Sequence, residues 1–132
     1  MEESINTNPI LMDHFMNPRN MGEMENPDGV GEAQNPVCGD TMRLFIRVEA
    51  NRINDAKFLT FGCSAAIASS SVTTEMIKDK TLEEALLISN QMVTDALGGL
   101  PPTKVHCSVL AEQAIKAAIF DYRRKRDTDD FR

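Results

Sequence analysis

The chain is poor in several things that would announce a specialised class of protein. It has no tryptophan, one tyrosine and six phenylalanines in 132 residues, so its core is expected to be aliphatic and, with eight methionines, adaptable. It lacks positive charge: 14 Lys and Arg against 20 Asp and Glu leave a formal net charge of −6, which argues against general nucleic-acid binding. No apolar run approaches the length of a membrane span, and the first residues lack the basic and apolar regions of a signal peptide. A cytoplasmic location with reduced thiols is therefore expected, with neither membrane nor nucleic acid as partner. Cysteine is scarce too. There are three, Cys38, Cys63 and Cys107, and no C-x-x-C unit that would mark a zinc finger or a redox dithiol.

What remains is ordinary in bulk, 42% hydrophobic and 26% charged, and long enough to bury a core without staples. One domain over residues 1–132 is expected, with 1–7 and 127–132 as flexible tails. Asn8-Pro9 reads as the cap and first position of a helix through Met16, stopped by Asn17-Pro18. Residues 17–29, rich in Asn, Pro and Gly, predict an irregular connection, and Val30–Gln34 a short strand. Met42, Leu44, Ile46 and Val48 alternate with Thr41, Arg43, Phe45 and Arg47, a strand pattern. A turn at Asn51 leads to a second strand from Ile53 to Phe61, apolar on both faces and so expected to be the more covered of the two. From Ser64 the pattern is helical, with Ala65, Ala68, Ser69, Val72 and Met76 on one small-residue face. Thr81–Glu84 matches a capping box for a helix through Ser89, and a further helical turn stops at Gly98-Gly99. Leu100–Lys104 is expected to be extended, because adjacent prolines disfavour helix and ladder alike. The last helix is expected from Ser108 to Arg126, burying Ala111, Ile115, Ala118, Ile119 and Tyr122.

The hairpin permits a geometric inference. A turn centred on Asn51 pairs residues whose numbers sum to about 102, which sets Asp40 opposite Gly62 and Cys38 near Cys63. Cys63 and Cys107 each precede an expected helix, where free N–H groups and the dipole favour thiolate. Asp40 offers a hard oxygen ligand and His106 a nitrogen, either of which would complete a three-thiolate site. Soft thiolates select iron–sulfur clusters or zinc over magnesium or calcium. Taken singly, each residue has an ordinary role: cysteines as packing groups, His106 in a loop, Asp40 in a turn, His14 on a helix face. An enzyme reading, with Cys107 as nucleophile, His106 as base and Asp40 as orienting group, is disfavoured because adjacent residues at a helix start project differently.

At these residues the sequence resembles the IscU/NifU N-terminal family of iron–sulfur cluster scaffolds. The resemblance is carried by Met12-Asp-His-Phe15, Asn17-Pro-Arg-Asn20, Cys38-Gly-Asp40, Phe61-Gly-Cys63, Ala66–Ser71, Leu100-Pro-Pro102, Lys104, His106-Cys-Ser108 and Ala111-Glu112. It implies an α+β fold, a small three-stranded antiparallel sheet packed against helices, with the ligand cysteines gathered at one end. It also implies a carrier rather than an enzyme: a scaffold that takes sulfur from a cysteine desulfurase, builds a transient [2Fe–2S] cluster and passes it to apo-proteins. Cys38, Cys63 and Cys107 would be cluster ligands, Asp40 a modulator of cluster lability and His106 a competing fourth ligand. Cys107, beside Lys104, would be the persulfide acceptor. Zinc would occupy the same ligands in the cluster-free form, and a zinc-bound sulfur acceptor is the alternative function. Leu100-Pro101-Pro102-Thr103-Lys104 is similar to the peptide recognised by a DnaK-type chaperone and its co-chaperone, with Thr103 where the family usually has Val. Gly62-Cys63-Ser64-Ala65 replaces the familiar Gly-Cys-Gly-Ser, and the long insertion of the SufU branch is missing. Self-association to a homo-oligomer is left open.

Overall fold

The computed structural model describes residues 8–36 and 39–130, without the side chains of 127–130. Among the described residues the alternating segments form one sheet of three antiparallel strands in the order β1 (Gly29–Gln34), β2 (Thr41–Glu49) and β3 (Arg52–Phe61). The inferred register is right over most of the hairpin. Thr41 pairs with Phe61 and Leu44 with Phe58, and a bulge between Arg47 and Val48 shifts the last two pairs by one. Ala50 and Asn51 both take positive φ, 53° and 63°, in a two-residue turn whose twist suits a hairpin.

One face of the sheet carries the core: Ala33, Met42, Leu44, Ile46, Ile53, Ala56 and Phe58 are buried there. The relative cover of the two hairpin strands is the reverse of that expected. β2 is the central strand, and even its outward Phe45 is buried, while β3 ends on an exposed Phe61. The apolar residues on the outer face of β3 are therefore surface, not core. Its free edge is instead blunted by chain segments: Phe58 exchanges backbone bonds with Asn20 and Gly22, and Ile53 with Asp79 and Lys80.

Helices pack on the inner face. α1 (Pro9–Met16) is capped by Asn8, as expected. α2 (Ser64–Ile77) covers β3, and its small residues allow burial on nearly every side, including Ser69, Ser70, Ser71, Thr73 and Thr74. α3 (Leu82–Leu86) starts with both halves of the capping box but stops short of Ser89, because that serine caps α4 (Asn90–Ala96). Leu100–Lys104 is not extended throughout. Pro102–Lys104 form a 3₁₀ turn, since proline fits the first position of a helical turn, and the turn runs straight into α5 (Val105–Asp130). α5 thus begins three residues before the expected start, and its backbone continues through 127–130, expected from sequence to be a tail. Residues 1–7 and 131–132, also read as tails, lie outside the described residues. The arginines and lysine near its end are largely engaged: Arg123 with Glu83, and Arg124 and Lys125 with Asp121. No described helix is long and apolar enough to cross a membrane.

α5 lies unusually close to β1, and the sequence contains the reason. The inward positions of β1 are Gly29, Gly31 and Ala33, facing Ala114 and Ala118 on the helix. A Cβ on Gly31 would stand 2.5 Å from Ala114 O, 2.8 Å from Ala117 C, and closer still to Ala118 N. The strand has almost no inward side chains because helix backbone occupies their place.

Candidate metal centre

Three connections meet at the end of the sheet where β1 runs into β2 and β3 runs into α2. The β1–β2 loop is closed by two backbone bonds, Gly39 N to Asn35 O at 2.8 Å and Asn35 N to Asp40 O at 2.9 Å. Gly39 sits at φ 80°, a left-handed conformation that a glycine adopts at little cost. Across the hairpin, Gly62 supplies the space for Asp40. A Cβ there would lie 2.8 Å from Asp40 Cγ and 3.0 Å from Ala66 Cβ. Cys63 is the cap residue of α2, extended in backbone, and its carbonyl accepts the Ile67 N–H while its thiol takes no capping role. The sulfur is left for other partners. The start of α5 brings in the third segment, with His106 and Cys107 in its first turn.

The side chains converge. Cys63 Sγ lies 3.8 Å from Cys107 Sγ and 3.8 Å from Asp40 Oδ2, and His106 Nε2 lies 4.0 Å from the same carboxylate oxygen. One ligand atom each from Asp40, His106 and Cys107 falls within a 4.8 Å set. Atoms bound to one zinc ion at about 2.0–2.3 Å stand roughly 3.3–3.8 Å apart in a tetrahedron, so small inward movements close this set on a metal. The donors, thiol, imidazole and carboxylate, suit zinc or iron. Cys38, two residues before Asp40 in sequence, lies outside the described residues. Of the five expected ligands, four are therefore placed, and all four share one site.

Electrostatics at Cys107 run against the sequence-based expectation. Its thiol is pushed well above the ordinary cysteine value, first by burial, then by the neighbouring Cys63 and Asp40, with Lys104 opposing. The helix terminus does not prevail because Cys107 stands inside the first turn, on the face turned to Ala65 and Ala66, with 1% of its surface exposed. Desolvation of a charge there outweighs a dipole worth about 1 kcal/mol. Burial thus favours the protonated thiol, and a metal ion bound there would displace the proton.

His14, read from sequence as a plain helix-face residue, is buried. Its Nδ1 lies 2.8 Å from Ser71 Oγ, which also accepts the Arg19 N–H, and its Nε2 lies 3.5 Å from Glu75. It fastens α1 to α2. Burial depresses its pKa most strongly, with Arg19 adding to this and Glu75 and Asp13 opposing. The hint available in the sequence was its place between Leu11 and Phe15 on a helix whose inner face had to cover α2.

Comparison with known proteins identifies the family and the fold. The family model of the NifU-like N-terminal domain matches residues 6–129. The iron–sulfur cluster assembly scaffold protein IscU of Archaeoglobus fulgidus is 58% identical over 120 residues, which cover 91% of this chain and 78% of that protein. The protein of the same name from Azotobacter vinelandii is 54% identical over 120 residues, covering 88% and 93%. Among solved structures, a Fervidobacterium islandicum protein assigned to iron–sulfur cluster assembly in the SUF system superposes with TM-score 0.73. It is 26% identical, covering 84% of this chain and 94% of that one. A NifU-like N-terminal protein from Brucella abortus, 18% identical, shares the fold with TM-score 0.76 over 89% and 94% of the two chains. The chain belongs to the NifU-like N-terminal domain family.

Proposed function

We propose that this chain is a scaffold on which an iron–sulfur cluster is assembled and from which it passes to recipient apo-proteins. The observation that carries the reading is the meeting of Cys63, Cys107, Asp40 and His106, from three separate segments, at one rim of the sheet. Cys38 supplies the third thiolate, and the cluster is of the [2Fe–2S] type. A protein that keeps its cluster most often closes it with four thiolates. Three thiolates and one oxygen or nitrogen donor leave a weaker corner, through which the cargo is loaded and released. Asp40 is that corner in our reading, with His106 as its competitor.

Sulfur arrives as the persulfide of a cysteine desulfurase. The Cys107 sulfur attacks the outer sulfur, the S–S bond breaks, and the proton that Cys107 gives up passes to the departing donor cysteine. Leu100–Lys104, whose Pro102 and Thr103 are exposed beside this thiol, is the proposed contact for a DnaK-type chaperone. The protein carries its cargo and does not turn over a substrate.

Anaerobic reconstitution with ferrous iron, cysteine, a desulfurase and a dithiol, which helps reduce persulfide sulfur to sulfide, tests the proposal. A scaffold develops the visible charge-transfer absorbance of a bound cluster, with two irons and two acid-labile sulfides per chain. It loses that absorbance when Cys38, Cys63 or Cys107 is replaced by Ser. Protein that binds one zinc and accepts persulfide, yet never colours, would establish the zinc-bound acceptor instead.

A further inference from the structure

One side chain near the start of the chain grips the segment that leads into Cys107. Asn8 caps α1 through Oδ1, which accepts the Leu11 N–H at 3.1 Å. Its Nδ2 faces the other way and donates to two backbone carbonyls some 90 residues distant, Leu97 O at 2.8 Å and Gly99 O at 3.2 Å. Those carbonyls bracket Gly98 and Gly99, at φ 81° and 108°. The glycine N–H groups turn back onto α4, to Asp95 O and Thr94 O, so the end of α4 is closed by its own backbone as well as by the bond from Asn8 to its cap residue Leu97. The amide of Asn8 therefore holds the glycine pair at both ends, and with it the direction in which the chain leaves toward Leu100.

That segment is a cover. Leu100, together with Cys63, packs against the cluster of Ala65, Ala66 and Cys107, in which Cys107 is 1% exposed. No desulfurase reaches a sulfur so enclosed while the cover is seated. The joint has room to move: a cleft of about 540 Å³ opens beside it, between Asn8–Leu11 and Gly98–Pro101. A Cβ built on Gly99 would meet nothing within 4 Å. Two consecutive glycines also give this joint the widest backbone freedom available to a chain.

We propose that Asn8 is the latch of a lid formed by Gly98–Pro101. With both amide hydrogen bonds made, Leu100 is seated over Cys107; when they break, the glycine joint swings and the thiol is uncovered. The use of such a lid, admission of sulfur and iron to Cys107, rests on the scaffold reading, whereas its mechanics do not. An effector of the lid would act at the N-terminal end of α1, far along the sequence from the thiol it exposes.

Asn8→Asp separates the two roles of this residue. Aspartate keeps an oxygen for the Leu11 N–H, so α1 stays capped, but has no N–H for Leu97 O and Gly99 O. Metal-free protein is labelled with N-ethylmaleimide at fixed pH, and the Cys107 peptide is followed by mass spectrometry alongside amide hydrogen exchange. Loss of two ordinary hydrogen bonds is expected to speed labelling of Cys107 by about tenfold or more, with faster exchange confined to the 98–104 segment. Unchanged labelling overturns the latch. So does faster labelling accompanied by equal loss of protection in β2 and the middle of α5, which would make Asn8 merely a stabilising residue. Should the aspartate variant fold poorly, Asn8→Ser, with a capping hydroxyl and no amide, is read in the same way. The two proposals fail separately: wild-type protein that builds no cluster refutes the scaffold and leaves the labelling result standing.

Discussion

Substituting Gly31 by alanine adds one methyl group, and the structure allots it no space. The three nearest atoms to the new Cβ are all backbone of α5, among them Ala114 O at 2.5 Å and Ala117 C at 2.8 Å. No rotamer change relieves such a contact, so helix and strand must separate by roughly 1 Å. A radial gap of that size forfeits a quarter to a half of each dispersion contact along the seam. Overpacking a tight core costs about 1–3 kcal/mol, and here the upper end or beyond is expected, because a whole helix moves and no side chain yields. With a urea m-value of about 2 kcal/mol/M, the unfolding midpoint should fall by about 1.5 M with m unchanged. The displacement should reach the site as well, since α5 carries His106 and Cys107 at its start; reconstituted cluster should be correspondingly depleted. Val30→Ala, on the opposite side of the same strand, serves as control. A Gly31→Ala midpoint within about 0.3 M of wild type would refute the claim that helix backbone fills the inward positions of β1.

Three further outcomes are expected. Asp40→Ala should lengthen the life of a reconstituted cluster, followed by its visible absorbance in the presence of a chelator; equal or faster decay would remove Asp40 as the weak corner. His14, depressed below its ordinary value of 6.5 in the folded chain, lends its full stability above that value. That contribution is lost as pH falls from there through the depressed folded pKa, where the buried ring must charge. His14→Gln should flatten this part of a stability-against-pH curve, and a variant curve parallel to wild type would count against it. Ser69 and Ser71, two residues apart on α2, should respond with opposite signs. Ser69 Oγ is buried with no hydrogen-bond partner, so Ser69→Ala should be neutral or raise stability by about 1 kcal/mol. Ser71 Oγ serves both His14 and the Arg19 N–H, so Ser71→Ala should cost about 1–3 kcal/mol by thermal unfolding.

The strands, the caps and the hairpin register were legible because their signals are local. Alternation along Thr41–Val48, an Asn before a Pro at position 9, and a capping box at Thr81–Glu84 each act over a few residues. The turn at Asn51 is enough to set Asp40 against Gly62 and beside Cys63, because pairing in an antiparallel ladder follows from the turn. Resemblance, not pattern, added Cys107 and His106, since nothing in the residues between Cys63 and Cys107 states where α5 begins in space.

Tertiary structure alone decided the rest. Which hairpin strand is central depends on where β1 pairs, and β1 is six residues long with two glycines, too weak a pattern to choose a neighbour. The titration of Cys107 depends on which way its side chain faces within the first turn of α5. A shift of three residues in the helix start turned a site expected to favour thiolate into a desolvated one. The grip of Asn8 on Leu97 and Gly99 joins residues about 90 positions apart through two hydrogen bonds, and no local signal carries such a pairing. From its residues the chain settled what most of its segments become and which chemistry its ligands favour. Where those ligands meet, and how deeply they are covered, came from packing, because burial is a property of neighbours that the sequence does not name.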